Sequence, residues 1–214
     1  MSMVLHGYWR SGTSYRTRIA LNLKGLRYRQ APVNLIAGEQ RGDAFRHLQP
    51  QGLVPALEVD GEVLIQSPAI LEWLEETHPE PPLLPRDALA RAQVRAMCAL
   101  VGCDIHPLNN LRVLKAIRAL APSDAEAANT WAARWIVDGF AALERLIGRH
   151  GGGYAFGGTP TLADCYLIPQ VYSARRFGVS VEDFPHITAL ATRADAHPAF
   201  ATAHPDRQPD TPAA

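Results

Sequence analysis

The spacing of apolar side chains changes repeatedly along the first third of the chain. The run MVLHGY at residues 3–8 is short and apolar and reads as a strand. SYRTRIALNLKG at 14–25 places Ile19 and Leu23, with Leu26 following, near helical spacing and ends on Gly25, a helix-stop residue. YRQAPVN at 28–34 predicts a second strand, in which Pro32 marks a sheet edge or a strand end because proline brings no N–H to a ladder. The polar stretch at 37–51 reads as loop plus a short helix. VPALEVDGEVLIQ at 54–66 is two apolar runs around Asp60-Gly61, the dipeptide of a tight hairpin turn. SPAILEWLEETHP at 67–79 predicts a helix with Ser67 as N-cap and Pro68 at the first helical position. The order β-α-β-α-β-β-α predicts a compact α/β sandwich.

Residues 79–87, PEPPLLPRD, are dense in proline and mark a domain boundary. The expected organisation is an α/β domain at 1–80, a linker at 81–89 and an all-α domain at 90–214. In the latter, a long helical pattern at 88–120 is expected to break or bend near Pro107. A second helix at 123–150 is expected to start at Ser123, with Glu126 completing a capping box, and to stop at Gly151-Gly152-Gly153. A third spans 161–178 and a short fourth 185–200. The tail from 203 onward has little to bury and is expected to be extended.

Composition narrows the field. The 214 residues carry 21 Lys and Arg against 21 Asp and Glu, so a zero net charge argues against bulk binding of nucleic acid or a membrane surface. No apolar run reaches the length of a bilayer span and no charged-then-apolar leader is seen, so a cytoplasmic protein is expected. Cys98, Cys103 and Cys165 are odd in number and form no CxxC pair, which predicts reduced, buried thiols rather than a disulfide framework. No metal is expected.

Four places carry candidate chemistry. YWRSGTSYR at 8–16 joins a strand to a helix start, a setting that holds anions, and is rich in hydroxyls and arginine. Val54-Pro55 precedes a hairpin strand; a cis bond there would turn the chain and present the Val54 backbone to an extended ligand, while a trans proline in a loop is the alternative. Gln66-Ser67 opens a helix whose first N–H groups suit a carboxylate, unless Ser67 only caps its own helix. Thr161 and Asp164 have the spacing of a capping box and read as structural.

Taken in order, these features resemble the cytosolic glutathione transferases: a thioredoxin-like unit, a proline linker and an all-helical domain. Finer features resemble the zeta class, namely RSGTSYRTRIALNLKG at 10–25, LVPALEVDGEVLIQSPAILEWLEE at 53–76, IHPLNNLRVL at 105–114, TPTLADCYLIPQV at 159–171 and RQPDTP at 207–212. The family commonly has serine and cysteine where this chain has Gly12 and Thr13, and many eukaryotic members have glutamine at His106. RSGTS together with GCDIHPLNN is closer in look to the bacterial maleylpyruvate isomerases.

The resemblance implies glutathione as cofactor, a homodimer, and cis–trans isomerisation of maleylacetoacetate or maleylpyruvate, small dicarboxylic keto acids. The alternatives are a zeta-like transferase acting on α-halo acids and a non-catalytic glutathione-binding protein. It places Ser11 against the glutathione sulfur, with Thr13 beside it, and Arg10 and Arg176 on substrate charge. Val54, Pro55, Gln66 and Ser67 would hold the peptide and Gln40 its glycine end, while His106, Asn110 and Arg112 are further contacts. A free thiol has a pKa of about 8.5, and a hydroxyl donor plus a helix start suffices to bring it near neutrality.

Overall fold

The computed structural model describes residues 2–212. It forms two compact units, Met1–Leu83 together with Ala196–Ala214, and Leu84–Asp195. The first contains β1 (Met3–Gly7), α1 (Gly12–Leu23), β2 (Arg29–Pro32), α2 (Asp43–Leu48), β3 (Ala56–Val59), β4 (Glu62–Ile65) and α3 (Ser67–Thr77), the element order read from the sequence. Its sheet runs β2-β1-β3-β4, with β1 parallel to β2 and antiparallel to β3. Pro32 ends β2, the edge strand, where its lack of an N–H costs no ladder bond. Asp60 and Gly61 both take positive φ, 48° and 94°, and close the β3–β4 hairpin with the twist the strands need.

The core of this unit is built by Leu5, Leu57, Ile19, Ala20, Leu21, Ile70, Leu71 and Leu74, all buried. Helix α1 is buried continuously from Ser14 to Leu21, whereas Leu23 and Leu26 are only half-buried. The apolar spacing therefore understates its burial, because its polar residues are also covered. Lys24, just past α1, donates to Glu75 on α3 at 2.6 Å and to the Pro81 carbonyl at 2.8 Å. The same carboxylate accepts from the Leu83 N–H, so one buried ion pair fastens the proline-rich segment to this unit.

The second unit contains α4 (Ala88–Ala99), α5 (Leu111–Leu120), α6 (Ala127–His150), α7 (Leu162–Arg176) and α8 (Pro185–Ala196). The predicted break is present but starts upstream of Pro107. The chain widens to π-helix at Leu100–Ile105 and tightens to 3-10 helix at His106–Asn109 before Asn110 caps α5. Proline at 107 cannot supply the N–H that would continue the helix. A Cβ on Gly139 of α6 would lie 2.3 Å from Ile105 Cδ1, so the glycine admits the displaced segment. Cys98 and Cys165 are buried as expected; Cys103 is exposed on the π segment.

Two local readings are corrected. Helix α6 starts at Ala127, with Glu126 rather than Ser123 before it and no side-chain cap. The Asp124 carboxylate takes the Glu126 N–H at 2.9 Å, and Asn129 engages the Glu126 carboxylate, so a turn displaces the expected capping box. The tail is also not extended, and it packs with the first unit rather than with the helical one. It forms α9 (Pro198–Ala203) and a 3-10 turn at Pro205–Arg207, with α9 against α1. Hydrogen bonds, not apolar burial, order it: Gln208 Nε2 donates to the Thr202 and His204 carbonyls, and its Oε1 accepts from Gln30.

Candidate functional site

The end of β1 and the start of α1 lie in close contact. A Cβ on Gly7 would stand 3.0 Å from Ser14 Oγ, so the strand end needs glycine to let α1 approach. Ser14 Oγ then accepts the Tyr8 N–H at 3.3 Å, and the Ser11 N–H donates to the Tyr8 carbonyl at 3.0 Å. Ser11 is the N-cap of α1: its backbone is extended (φ −68°, ψ 124°) and its Oγ accepts the Ser14 N–H at 3.2 Å. A small hydroxyl thus sits at the positive end of a buried helix.

Thr13 joins this hydroxyl to the cis Val54-Pro55 bond. Thr13 Oγ1 donates to the Val54 carbonyl at 2.9 Å and lies 3.0 Å from Ser11 Oγ. A carbonyl only accepts, so the Thr13 proton is committed to Val54, and the contact between the hydroxyls carries the Ser11 proton. Ser11 therefore rests with its donor turned to Thr13, and a sulfur acceptor must draw it away. The Val54 carbonyl is also not wholly open to a ligand, because Thr13 occupies it.

At α3 the cap is displaced by one residue from the expected position. Gln66 is the N-cap, with φ +66° and ψ 110°, a strained conformation for a residue with a Cβ, and Ser67 and Pro68 enter the helix. Ser67 does not cap its own helix. It is buried and its Oγ accepts from Nη1 of buried Arg16 at 3.0 Å, a charged donor stronger than a backbone N–H. The Gln66 side chain is exposed and its amide donates to Gln51. Gln40 is buried, with Nε2 3.5 Å from the Leu35 carbonyl and Oε1 without a hydrogen-bond partner. Arg10 stands beside Ser11, its guanidinium carbon 5.2 Å from the Trp9 ring centroid. Arg16 is the functional residue missed in the sequence: an arginine inside a helix reads as solvated unless the apolar context on all sides is weighed.

His106, Asn110, Arg112 and Arg176 belong to the other unit. His106 opens the 3-10 turn, and Asn110 Oδ1 accepts the Arg112 N–H at 3.2 Å while capping α5, leaving the Arg112 side chain exposed. Arg176 is the last residue of α7, exposed, with its guanidinium carbon 5.6 Å from the Phe177 ring centroid. Phe177 packs on the cluster of Leu114, Ala128 and Ala132, which gives that ring a fixed seat. At its other end, α7 has the predicted capping box: Asp164 accepts from the Thr161 N–H at 2.7 Å, the Thr161 hydroxyl at 2.9 Å and the Ala155 N–H at 2.8 Å.

A thioredoxin-like unit with a serine-capped α1, followed by a helical unit, defines a class, and comparison with known proteins agrees. Residues 10–77 match the family model described as glutathione S-transferase, N-terminal domain, and residues 124–201 match the corresponding C-terminal domain. The chain belongs to the glutathione S-transferase family. Its relatives place it in the zeta class, with the maleylacetoacetate isomerases. It is 55% identical to maleylacetoacetate isomerase of Pseudomonas aeruginosa, over 99% of this chain and 100% of the relative. A solved holo structure of maleyl pyruvate isomerase, a bacterial zeta-class enzyme, is 53% identical, covers 98% of this chain and 100% of its own, and has a TM-score of 0.95. Maleylacetoacetate isomerase from Anaeromyxobacter dehalogenans 2CP-1, solved with glutathione in its active site, is 45% identical over 99% of this chain and 98% of its own, with a TM-score of 0.90.

Proposed function

We propose that this protein is a glutathione-dependent cis–trans isomerase of maleylacetoacetate or maleylpyruvate, acting in aromatic catabolism in the cytoplasm as a homodimer. The observation that carries the reading is the Ser11 hydroxyl at the start of α1, hydrogen-bonded to Thr13, which in turn holds the Val54 carbonyl. Full-length relatives with this activity in their names support it. The donor set also fits glutathione. The buried Arg16 behind Ser67, at a helix start, suits the γ-glutamyl carboxylate, and the buried Gln40 Oε1 offers an unused acceptor toward the glycine end.

When bound, glutathione supplies a thiolate whose reversible addition to the double bond lets that bond rotate before the sulfur leaves. Ser11 turns its proton from Thr13 to the sulfur and, with the α1 start, favours the ionised form. Gln66 and Ser67 hold the γ-glutamyl carboxylate, and Val54-Pro55 aligns the cysteinyl backbone. Arg176 holds a substrate carboxylate through its planar fork, and Arg10 serves the oxygen on which negative charge gathers. His106, Asn110 and Arg112 complete the contacts to the bound molecules.

The test is direct: purified protein is mixed with maleylpyruvate or maleylacetoacetate, with and without glutathione, and ultraviolet absorbance is followed. Isomerisation strictly dependent on glutathione is expected. Halide release from dichloroacetate without isomerisation of either keto acid would overturn the reading. The relative rates on the two keto acids identify the physiological substrate, and a solution mass of twice the 23.4 kDa chain checks the dimer.

A further inference from the structure

The loop that presents Ser11 is held from two hundred residues away. Four groups of its backbone are fixed: the Tyr8 N–H by Ser14 Oγ, the Tyr8 carbonyl by the Ser11 N–H, the Trp9 N–H by Asp210 Oδ2 at 2.8 Å, and the Trp9 carbonyl by Arg18 Nη2 at 2.9 Å. The first two anchors are local. The other two depend on the tail, since Asp210 lies in it and Arg18, buried in α1, also donates Nε to the Ala203 carbonyl at 3.0 Å. The tail is itself braced by Gln208 and by Thr211, whose hydroxyl donates to the Pro205 carbonyl. No apolar cluster is needed to explain its order.

We propose that Asp210 is a positioning residue for the thiol site: by taking the Trp9 N–H it fixes the peptide two residues before Ser11, and so fixes where the Ser11 hydroxyl points. This rests on the reading of Ser11 as the donor to the glutathione sulfur. The requirement is geometric. A hydrogen bond to sulfur weakens steeply when its angle opens, and the Trp9 peptide sets the direction from which the chain enters the α1 cap. The role needs an acceptor at residue 210, not a charge, and a carboxylate near a thiolate acts against ionisation. Asn therefore substitutes for Asp where Ala does not.

The experiment measures the thiolate absorbance of bound glutathione and the pH–rate profile in wild type, Asp210→Ala, Asp210→Asn and Ser11→Ala, with thermal melting of each. Asp210→Ala is expected to move the acidic limb up by about half a unit to one unit and to lower turnover at neutral pH about fivefold, the scale of one hydrogen bond. Asp210→Asn is expected to hold the acidic limb at or slightly below wild type. A wild-type limb in Asp210→Ala, or equal damage by Ala and Asn, overturns the proposal while an effect of Ser11→Ala leaves the parent reading standing. If Ser11→Ala itself has no effect, the parent reading fails and this one with it. Should Asp210→Ala not fold, amide exchange of wild-type Trp9 decides the matter: protection comparable to Ser11 is expected, and fast exchange contradicts the proposal.

Discussion

Around Ser11 polar groups are held at short range: its oxygen accepts from the Ser14 N–H, its proton goes to Thr13, and Thr13 is tied to Val54. Arg176, at the end of α7, is exposed on a long side chain beside Phe177. The difference follows from the two tasks. Lowering the pKa of a thiol depends on a donor placed within a few tenths of an ångström, so the group is short and its neighbours are fixed. Holding a flexible dianion depends on charge and reach, and a guanidinium fork on a rigid helix supplies both. The precision of the second region thus lies in the seat of α7 rather than in the arginine.

That comparison can be broken at several points. The largest effect is expected at the seat. Asp164→Ala removes the acceptor of three buried hydrogen bonds, and chemical denaturation should show a loss of about 3 kcal/mol or more. Burial raises the Asp164 carboxyl from 3.8 to about 6, against those three donors, which pull the other way. The folded protein therefore holds this proton more tightly than the unfolded chain. Its contribution is complete below the unfolded value of 3.8 and is lost as pH rises through about 6. Over that window stability should fall by about 3 kcal/mol, a slope that Asp164→Asn flattens in denaturation curves.

Next in size is Ser11→Ala, with turnover down about ten- to a hundredfold, the equivalent of a charge-assisted hydrogen bond of about 1.5–3 kcal/mol. Arg176→Ala should raise the KM for substrate and lower kcat, about tenfold in kcat/KM, with glutathione affinity by calorimetry near wild type. Loss of glutathione binding in that variant would show that the arginine serves the cofactor instead. Thr13→Val is expected to be mildest. It releases the Ser11 proton and the Val54 carbonyl together, so glutathione affinity should fall about threefold while the acidic limb stays or moves down. Movement of that limb in the same direction as Ser11→Ala would mean that Thr13 is itself the donor.

Elements with a local signal were legible in the sequence. The Asp60-Gly61 turn, the Thr161–Asp164 capping box and the β-α-β-α-β-β-α order each rest on residues close in the chain, and each is present. Ser67 illustrates the limit: its spacing predicts a cap, but Arg16, 51 positions away, claims its hydroxyl. The tail shows it further. Residues 203–212 have no apolar period, and their order comes from bonds such as Trp9 to Asp210, separated by 201 positions. Polar contacts across that distance leave no periodic trace, so an extended tail was the natural expectation.

The central claim is that Ser11 makes bound glutathione acidic. The most direct measurement is a titration of thiolate absorbance, at saturating glutathione, in wild type and Ser11→Ala. The account predicts a bound-thiol pKa near neutrality in wild type, well below the free value of about 8.5, and a rise of about one to two units in the variant. Identical titrations in the two proteins would contradict it and would move thiolate activation to Thr13 and the N–H groups at the start of α1.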